Sequence, residues 1–307
     1  MKKTLLTICL VWMCFSLSAQ KIIDLSGKWS FSIDRQDNGE KEKWFSHTLN
    51  DFINLPGSMP EKLKGDEVTA KTQWTGSLYD SSYYYNPYME KYRKEGNIKF
   101  PFFLTPDKHY VGAAWYQKEV NIPADWKGER ILLFLERPHI ETTVWVNGQK
   151  TGMQNSLCVP HQYDITHYVR PGKCTITIRV DNRIKEINVG PDSHSITDQT
   201  QGNWNGIVGR ICLQTTPKTY FDDIQIYPEP EQKLARVKVV IKGTGTAKVK
   251  LSAESFNTDK KHIVPAIQQE IKLNKGVTET EMVLPMGNDM LLWDEFHPAL
   301  YKLKAEV

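Results

Sequence analysis

Charge of one sign is missing from this 307-residue chain, in which 39 Lys and Arg stand against 36 Asp and Glu for a net charge of +3. Lys2 and Lys3 supply two of those charges, so the remainder carries +3 − 2 = +1. A balanced, interspersed distribution lacks the electrostatic footprint that nucleic acid or an anionic membrane surface selects. Neither is expected as a partner. Long apolar runs are missing too. The one at Leu5–Phe15 falls short of the roughly 20 residues that cross a bilayer, so no membrane span is expected in the mature chain.

Cysteine is scarce. Of five, Cys9 and Cys14 lie in the first fifteen residues, and Cys158, Cys174 and Cys212 follow at spacings that match no zinc-ligand set. An odd number leaves a free thiol or an intermolecular bond, and a single Cys158–Cys174 bridge stays open. Cys174 and Cys212 sit in strand-like patterns and read as small core residues. The chain also lacks a phosphate-cradling Gly-rich loop, a nucleophile elbow and a paired-Cys motif. His161 and His167 around Tyr163-Asp164, and His194 near Asp198, form no compact metal-ligand spacing. They read as hydrogen-bonded loop residues.

What is present begins with a basic Lys2-Lys3, the short apolar run and the small-residue exit Ser18-Ala19. This is a secretory signal peptide over residues 1–19, with cleavage expected after Ala19 and a periplasmic or secreted product. Hydrophobic residues make up 40% of the chain, enough for one large or two ordinary cores.

Period-two alternation then recurs, and no stretch keeps a helical period. Trp29, Phe31 and Ile33 alternate with Ser30, Ser32 and Asp34. Ile140, Thr142, Val144 and Val146 alternate with Glu141, Thr143 and Trp145 and lead into Asn147-Gly148, a tight-hairpin dipeptide. Cys174, Ile176, Ile178 and Val180 alternate with Thr175, Thr177, Arg179 and Asp181, while Ile131–Leu135 is apolar on both faces and suits a doubly buried strand. The expected fold is all-β: a jelly-roll sandwich over residues 20–217, then a smaller, incomplete immunoglobulin-like sandwich over 218–307. The composition shifts at Thr215-Thr216-Pro217, beyond which short strands such as Val237/Val239/Ile241 and Val249/Leu251/Ala253 are Lys-rich. The sequence stops at Val307 inside an alternating strand, so the second domain is expected to be truncated.

Residues 72–108 break the strand rhythm and crowd Tyr79, Tyr83, Tyr84, Tyr85, Tyr88 and Tyr92 into fourteen positions. Such an insertion is usually functional. Tyrosine suits both sugar stacking and docking onto a neighbouring domain, with docking preferred. Trp29, Trp115 and Trp145 sit on strand patterns and are expected to pack in the core. Gly206 and Gly209 are expected to permit close backbone approach or positive φ.

The order of landmarks resembles the N-terminal part of glycoside hydrolase family 2, which contains β-galactosidases and β-glucuronidases. They are Leu25-Ser26-Gly27-Lys28-Trp29, Leu55-Pro56-Gly57, Ala114-Trp115-Tyr116, Val144-Trp145-Val146-Asn147-Gly148, Tyr163-Asp164-Ile165-Thr166, Val180-Asp181-Asn182, Asn203-Trp204-Asn205-Gly206 and His297-Pro298-Ala299-Leu300-Tyr301.

The resemblance implies a sugar-binding jelly roll, an immunoglobulin-like domain and a catalytic barrel, with β-linked glycans or glycosides as partners. The reaction it implies is retaining O-glycosyl hydrolysis by two glutamates on the barrel, one preceded by Asn. This sequence has no Asn-Glu dipeptide, and a barrel alone takes about 250 residues. No catalytic residue is therefore assigned, and the chain is expected to be inactive alone, its own barrel being a partner only in a longer protein. Asp198 and, less directly, Asn97 resemble sugar-facing positions of the β-galactosidase branch, a carboxylate being suited to sugar hydroxyls. Both residue types are also ordinary turn formers. No cofactor is expected, and a monovalent or divalent cation is only allowed for. Three functions are compatible: the non-catalytic portion of an exported exo-acting β-glycosidase, a free-standing carbohydrate-binding protein, and an inactive split-gene product.

Overall fold

The computed structural model describes residues 21–69, 71–75, 85–99, 105–185 and 202–307. These divide into two compact units at Thr215/Thr216, with Gly128–Arg130 grouped with the second.

The first unit is a sandwich of two sheets. One contains β1 (Ile22–Asp24), β4 (Gly57–Ser58), β8 (Arg130–Pro138), β11 (His161–Asp164) and β13 (Gly206–Thr216), in the order β1-β13-β8-β11 with β4 also on β13. The other is antiparallel and contains β2 (Gly27–Asp34), β3 (Asp51–Leu55), β7 (Ala113–Ile122), β9 (Glu141–Val146), β10 (Gln149–Asn155) and β12 (Gly172–Asp181). Their order is β10-β9-β12-β7-β2-β3, so non-consecutive strands lie side by side, as a jelly roll requires. A two-stranded ribbon joins β5 (Asp66–Glu67) to β6 (Lys108–His109).

Alternation explains the inner faces. Trp29 and Phe31 of β2, Tyr116 of β7, Leu133 and Leu135 of β8, Val144 and Val146 of β9, and Ile176, Ile178 and Val180 of β12 meet in one core. Each such aliphatic side chain stabilises the fold by about 1.5–3 kcal/mol when fully buried. As expected, Ile131–Leu135 is buried throughout, and Asn147 and Gly148 carry φ of 51° and 78°, which turns β9 into β10. Gly206 has φ of 147°, and a Cβ there would lie 2.5 Å from the Gly57 carbonyl oxygen. The β4–β13 pairing therefore needs glycine.

The outer face of the six-stranded sheet is also covered, and Trp115 and Trp145 pack there in a small core of their own, as expected of packing residues. Trp115 and Trp145 stack there with centroids 5.0 Å apart, and Phe45 lies parallel to Trp145 at 5.2 Å. Residues 35–50 fold across this face as a lid. Asp34 holds that lid: its Oδ2 accepts from the Trp115 indole and the Gly39 amide at 2.9 Å each, and its Oδ1 accepts from Asn38 N at 2.9 Å. Gln117 Nε2 donates to His47 O at 3.1 Å. Both faces of β9 are thus buried, a consequence of non-local covering that period two alone does not reveal.

The second unit is built from β14 (Tyr220–Glu229), β15 (Leu234–Phe256), β16 (Ile263–Pro285) and β17 (Leu300–Glu306). Here Val237/Val239/Ile241 and Val249/Leu251/Ala253 belong to one long strand, bent where Gly243–Gly245 faces Gly276. Before the bend β15 pairs with β14, after it with β17, and throughout with β16. Residues from both halves share one core, so the bent hairpin folds over itself as a sandwich. Among the described residues no helix is long and apolar enough to cross a membrane.

Candidate functional site

A cleft of about 910 Å³ opens in the first unit, where the β5–β6 ribbon meets the end of β12 and the lead-in to β13. Trp74 leans over the His109 ring, with centroids 4.7 Å apart and planes at 59°. Arg35 reaches Asp66 at 2.5 Å on one rim, while Arg183 and Lys71 supply further cationic groups. Thr69, Thr72, Gln73 and Asn203 add neutral hydrogen-bonding groups to the lining. An aromatic surface among convergent polar groups is the composition that holds a polyhydroxylated ligand.

Three asparagines support this end of the sandwich from within. Asn205 donates to Gly112 O and Val180 O at 2.9 Å each and accepts from the Tyr116 hydroxyl at 2.8 Å. Asn182 accepts from Gly112 N at 2.8 Å and donates to Tyr110 O and Asn203 Oδ1 at 2.9 and 3.0 Å. Asn203 donates to Thr75 Oγ1 at 2.9 Å and Asn182 O at 3.1 Å. Asn182 and Asn205 are 0% exposed, so these bonds hold loops that no strand ladder pairs. Burial pushes the Tyr110 phenol well above its ordinary range, with the nearby Asp34 charge adding to it. Tyr110 OH donates to Ala113 O at 2.9 Å.

Beside the cleft lies a compact ion cluster. Arg179 meets Asp37 at 2.6 Å and Asp181 at 3.1 Å; Arg183 meets Asp37 at 2.6 Å and Asp181 at 2.5 Å. Lys185 bridges Asp181 at 2.9 Å and Glu141 at 2.8 Å. Burial by itself raises the Asp181 carboxyl, but the hydrogen bonds from Arg183 and Lys185 outweigh it and hold the group well below the usual carboxylate range. The Arg183 guanidinium is correspondingly raised by its hydrogen bonds to Asp181 and, despite desolvation, to Asp37. The cluster fixes the direction in which the chain leaves β12.

Of the sequence-expected site residues, Asp198 lies outside the described residues. Asn97 is exposed, and its Nδ2 donates to Lys91 O at 2.8 Å within a turn that Gly96 completes at φ 76°. It borders a separate cleft of about 600 Å³. Tyr79, Tyr83 and Tyr84 also fall outside the described residues, while Tyr85 and Tyr88 are 79% and 84% exposed. His161 is a buried strand residue of β11 rather than a loop residue, 2.6 Å from Thr142 Oγ1 through Nδ1, and burial lowers its pKa. All three described cysteines are free, with Cys174 and Cys212 buried and Cys158 exposed. Sequence reasoning missed Trp74, His109 and the asparagine framework. Asn203 and Asn205 stood inside a recognised landmark, but no periodicity marked them as loop supports.

The fold defines a class: a jelly-roll sandwich carrying a polar cleft, followed by an immunoglobulin-like sandwich. The chain belongs to glycoside hydrolase family 2. Its residues 22–217 match the description "Glycosyl hydrolases family 2, sugar binding domain" and residues 219–307 match "Glycosyl hydrolases family 2". It is similar to the β-glucuronidase of Pongo abelii, 24% identical over 266 residues covering 78% of this chain and 35% of the relative. The β-galactosidase of Clostridium acetobutylicum is 24% identical over 287 residues, covering 91% of this chain and 28% of the relative. A solved β-glucuronidase from an uncultured Clostridium species shares the fold, with TM-score 0.59, 20% identity and coverage of 94% of this chain and 43% of that one. The chain thus spans about a third of the length of these relatives.

Proposed function

We propose that this chain is the N-terminal, non-catalytic portion of an exported exo-acting β-glycosidase, in which the jelly roll recognises or positions sugar for a barrel that this sequence does not carry. The β-glucuronidase and β-galactosidase names of its relatives support β-linked glycosides as the substrate class. The observation that carries the reading is the Trp74 cleft in a jelly roll matched over 22–217 to a sugar-binding domain. Trp74 offers a ring face to the apolar side of a pyranose, while Gln73 and Thr72 present groups for its hydroxyls. Asp198 and Asn97 are proposed as further sugar contacts, Asp198 as an acceptor for hydroxyls. Residues 1–19 support export to the periplasm or beyond.

Calorimetric titration of the purified chain with phenyl β-galactoside and phenyl β-glucuronide tests this. Saturable binding is expected with at least one ligand. Trp74→Ala is expected to weaken it about tenfold, the effect of losing roughly 1.4 kcal/mol of stacking, with an unchanged thermal midpoint. No heat with either ligand, or wild-type affinity in the variant, overturns the assignment of the cleft. The exposed Tyr85 and Tyr88 favour a second reading, a free-standing glycan-binding protein. Under that reading Tyr88→Ala, and not Trp74→Ala, abolishes binding.

A further inference from the structure

We propose that the Trp74 cleft continues past Arg183 into a second cleft, and that the two form one furrow for a neutral, β-linked oligosaccharide of several rings. This extension rests on the Trp74 cleft being a sugar site and adds the length and charge of the ligand. The second cleft, of about 560 Å³, also lies in the first unit and shares Arg183 and Ile184 with the first. Two cavities lined by the same consecutive residues adjoin there. A site of about 300–1,000 Å³ encloses a drug-sized molecule, so the first cleft, at about 910 Å³, already has room for more than one pyranose.

Strand register builds the floor of the second cleft. Met153 of β10 stands opposite Thr143 of β9, and Thr143 stands opposite Arg179 of β12. Directly opposed residues share a face of a sheet, so the three form one row across the outer face, and all three line the cleft. Asp37 and Glu40, from the lid of residues 35–50, line it as well. Asp37 ties the two clefts together, because it pairs with Arg179 on the floor and with Arg183 at the junction, each at 2.6 Å. Met153 is 52% exposed. A flexible apolar side chain left open among polar groups suits the C–H face of a sugar ring, as the Trp74 indole does in the first cleft.

Charge selects the class of saccharide. Arg35 is matched by Asp66, Arg183 by Asp37, Lys185 by Glu141 at 2.8 Å and Lys150 by Glu40 at 2.9 Å. Of the cations lining the furrow, Lys71 is the one without an ion pair among the described residues. An anionic ligand has to displace carboxylates that the other cations already hold. Hydroxyl groups can instead donate to the carboxylate lone pairs left over, and no pair is broken. A neutral sugar chain therefore fits the furrow better than a uronate or sulfated one.

The test is calorimetric titration of the purified chain with β-linked galacto-oligosaccharides, from the methyl monoglycoside to the tetrasaccharide, and with glucurono-oligosaccharides of the same lengths. Affinity for the galactose series is expected to rise about tenfold from the monoglycoside to the tetrasaccharide. Met153→Ala should weaken the tetrasaccharide about fivefold and leave the monoglycoside unchanged, whereas Trp74→Ala should weaken every member. Because Met153 is on the surface, circular dichroism should show its variant folded. Affinity that does not grow with length overturns the furrow and leaves the Trp74 site standing. So does a tetrasaccharide indifferent to Met153→Ala, or a loss that the monoglycoside shares equally. Tighter binding of the glucuronate series overturns the choice of a neutral chain. No binding in either series overturns the Trp74 site and the furrow with it.

Discussion

Asp181 shows what a single residue contributes to this fold. The carboxylate is 0% exposed, and its burial is compensated by hydrogen-bonded ion pairs to Arg183, Lys185 and Arg179. Asp181→Ala leaves cations around a vacated site, and we expect a loss of about 3–5 kcal/mol, read from urea denaturation at neutral pH. The pH dependence has a definite sign. Because the folded-state pKa is depressed, Asp181 contributes its full stabilisation above its unfolded value of about 3.9, and that contribution is lost as pH falls toward the lower folded value. Denaturation midpoints measured downward from pH 5 should therefore fall more steeply for wild type than for Asp181→Asn. Equal slopes would mean that the cluster is not closed in solution. The alternating pattern placed Arg179 and Asp181 on the same side of a strand and said nothing of their burial. Their burial depends on Asp37 arriving from another part of the chain.

Pairing decides matters at the level of elements. Gly206→Ala should cost roughly 2 kcal/mol or more, because its φ of 147° and the Gly57 carbonyl 2.5 Å from a new Cβ both penalise a side chain. A drop in thermal midpoint with reduced hydrogen-exchange protection at Met59, whose amide bonds Asn205 O at 2.7 Å, is the check. Strands β2, β8, β9 and β12 were all legible from apolar periodicity, and the β9–β10 turn from Asn147-Gly148. That is because the signals are local. The lid of residues 35–50 was not legible, since Phe45 and Trp44 have no period and acquire meaning only against Trp145 and Trp115. The bend of β15 was also hidden: two apolar runs separated by Gly243 and Gly245 look like two strands, and only their common pairing with β16 joins them.

Taken whole, the described residues form two all-β units, and the larger cleft lies in the first of them. Asp66 and Glu67 in the larger cleft are already engaged by Arg35 and Lys108. Retaining glycoside hydrolysis needs two carboxyl groups about 5–5.5 Å apart with divergent pKa values. We therefore expect nitrophenyl β-galactoside and nitrophenyl β-glucuronide to remain intact when incubated with this chain alone. Release of nitrophenolate above a heat-treated control would show that chemistry resides here after all.

The sequence by itself determined the strand content, the hairpin turn, the buried tryptophans and the ordered landmarks of family 2, since each is written in neighbouring residues. Tertiary structure alone decided where the cleft lies and what holds it. Trp74 meets His109, Asn182 meets Asn203 and Arg179 meets Asp37 across 35, 21 and 142 positions of chain. Contacts of that span arise from the packing of sheets and leave no trace in local periodicity.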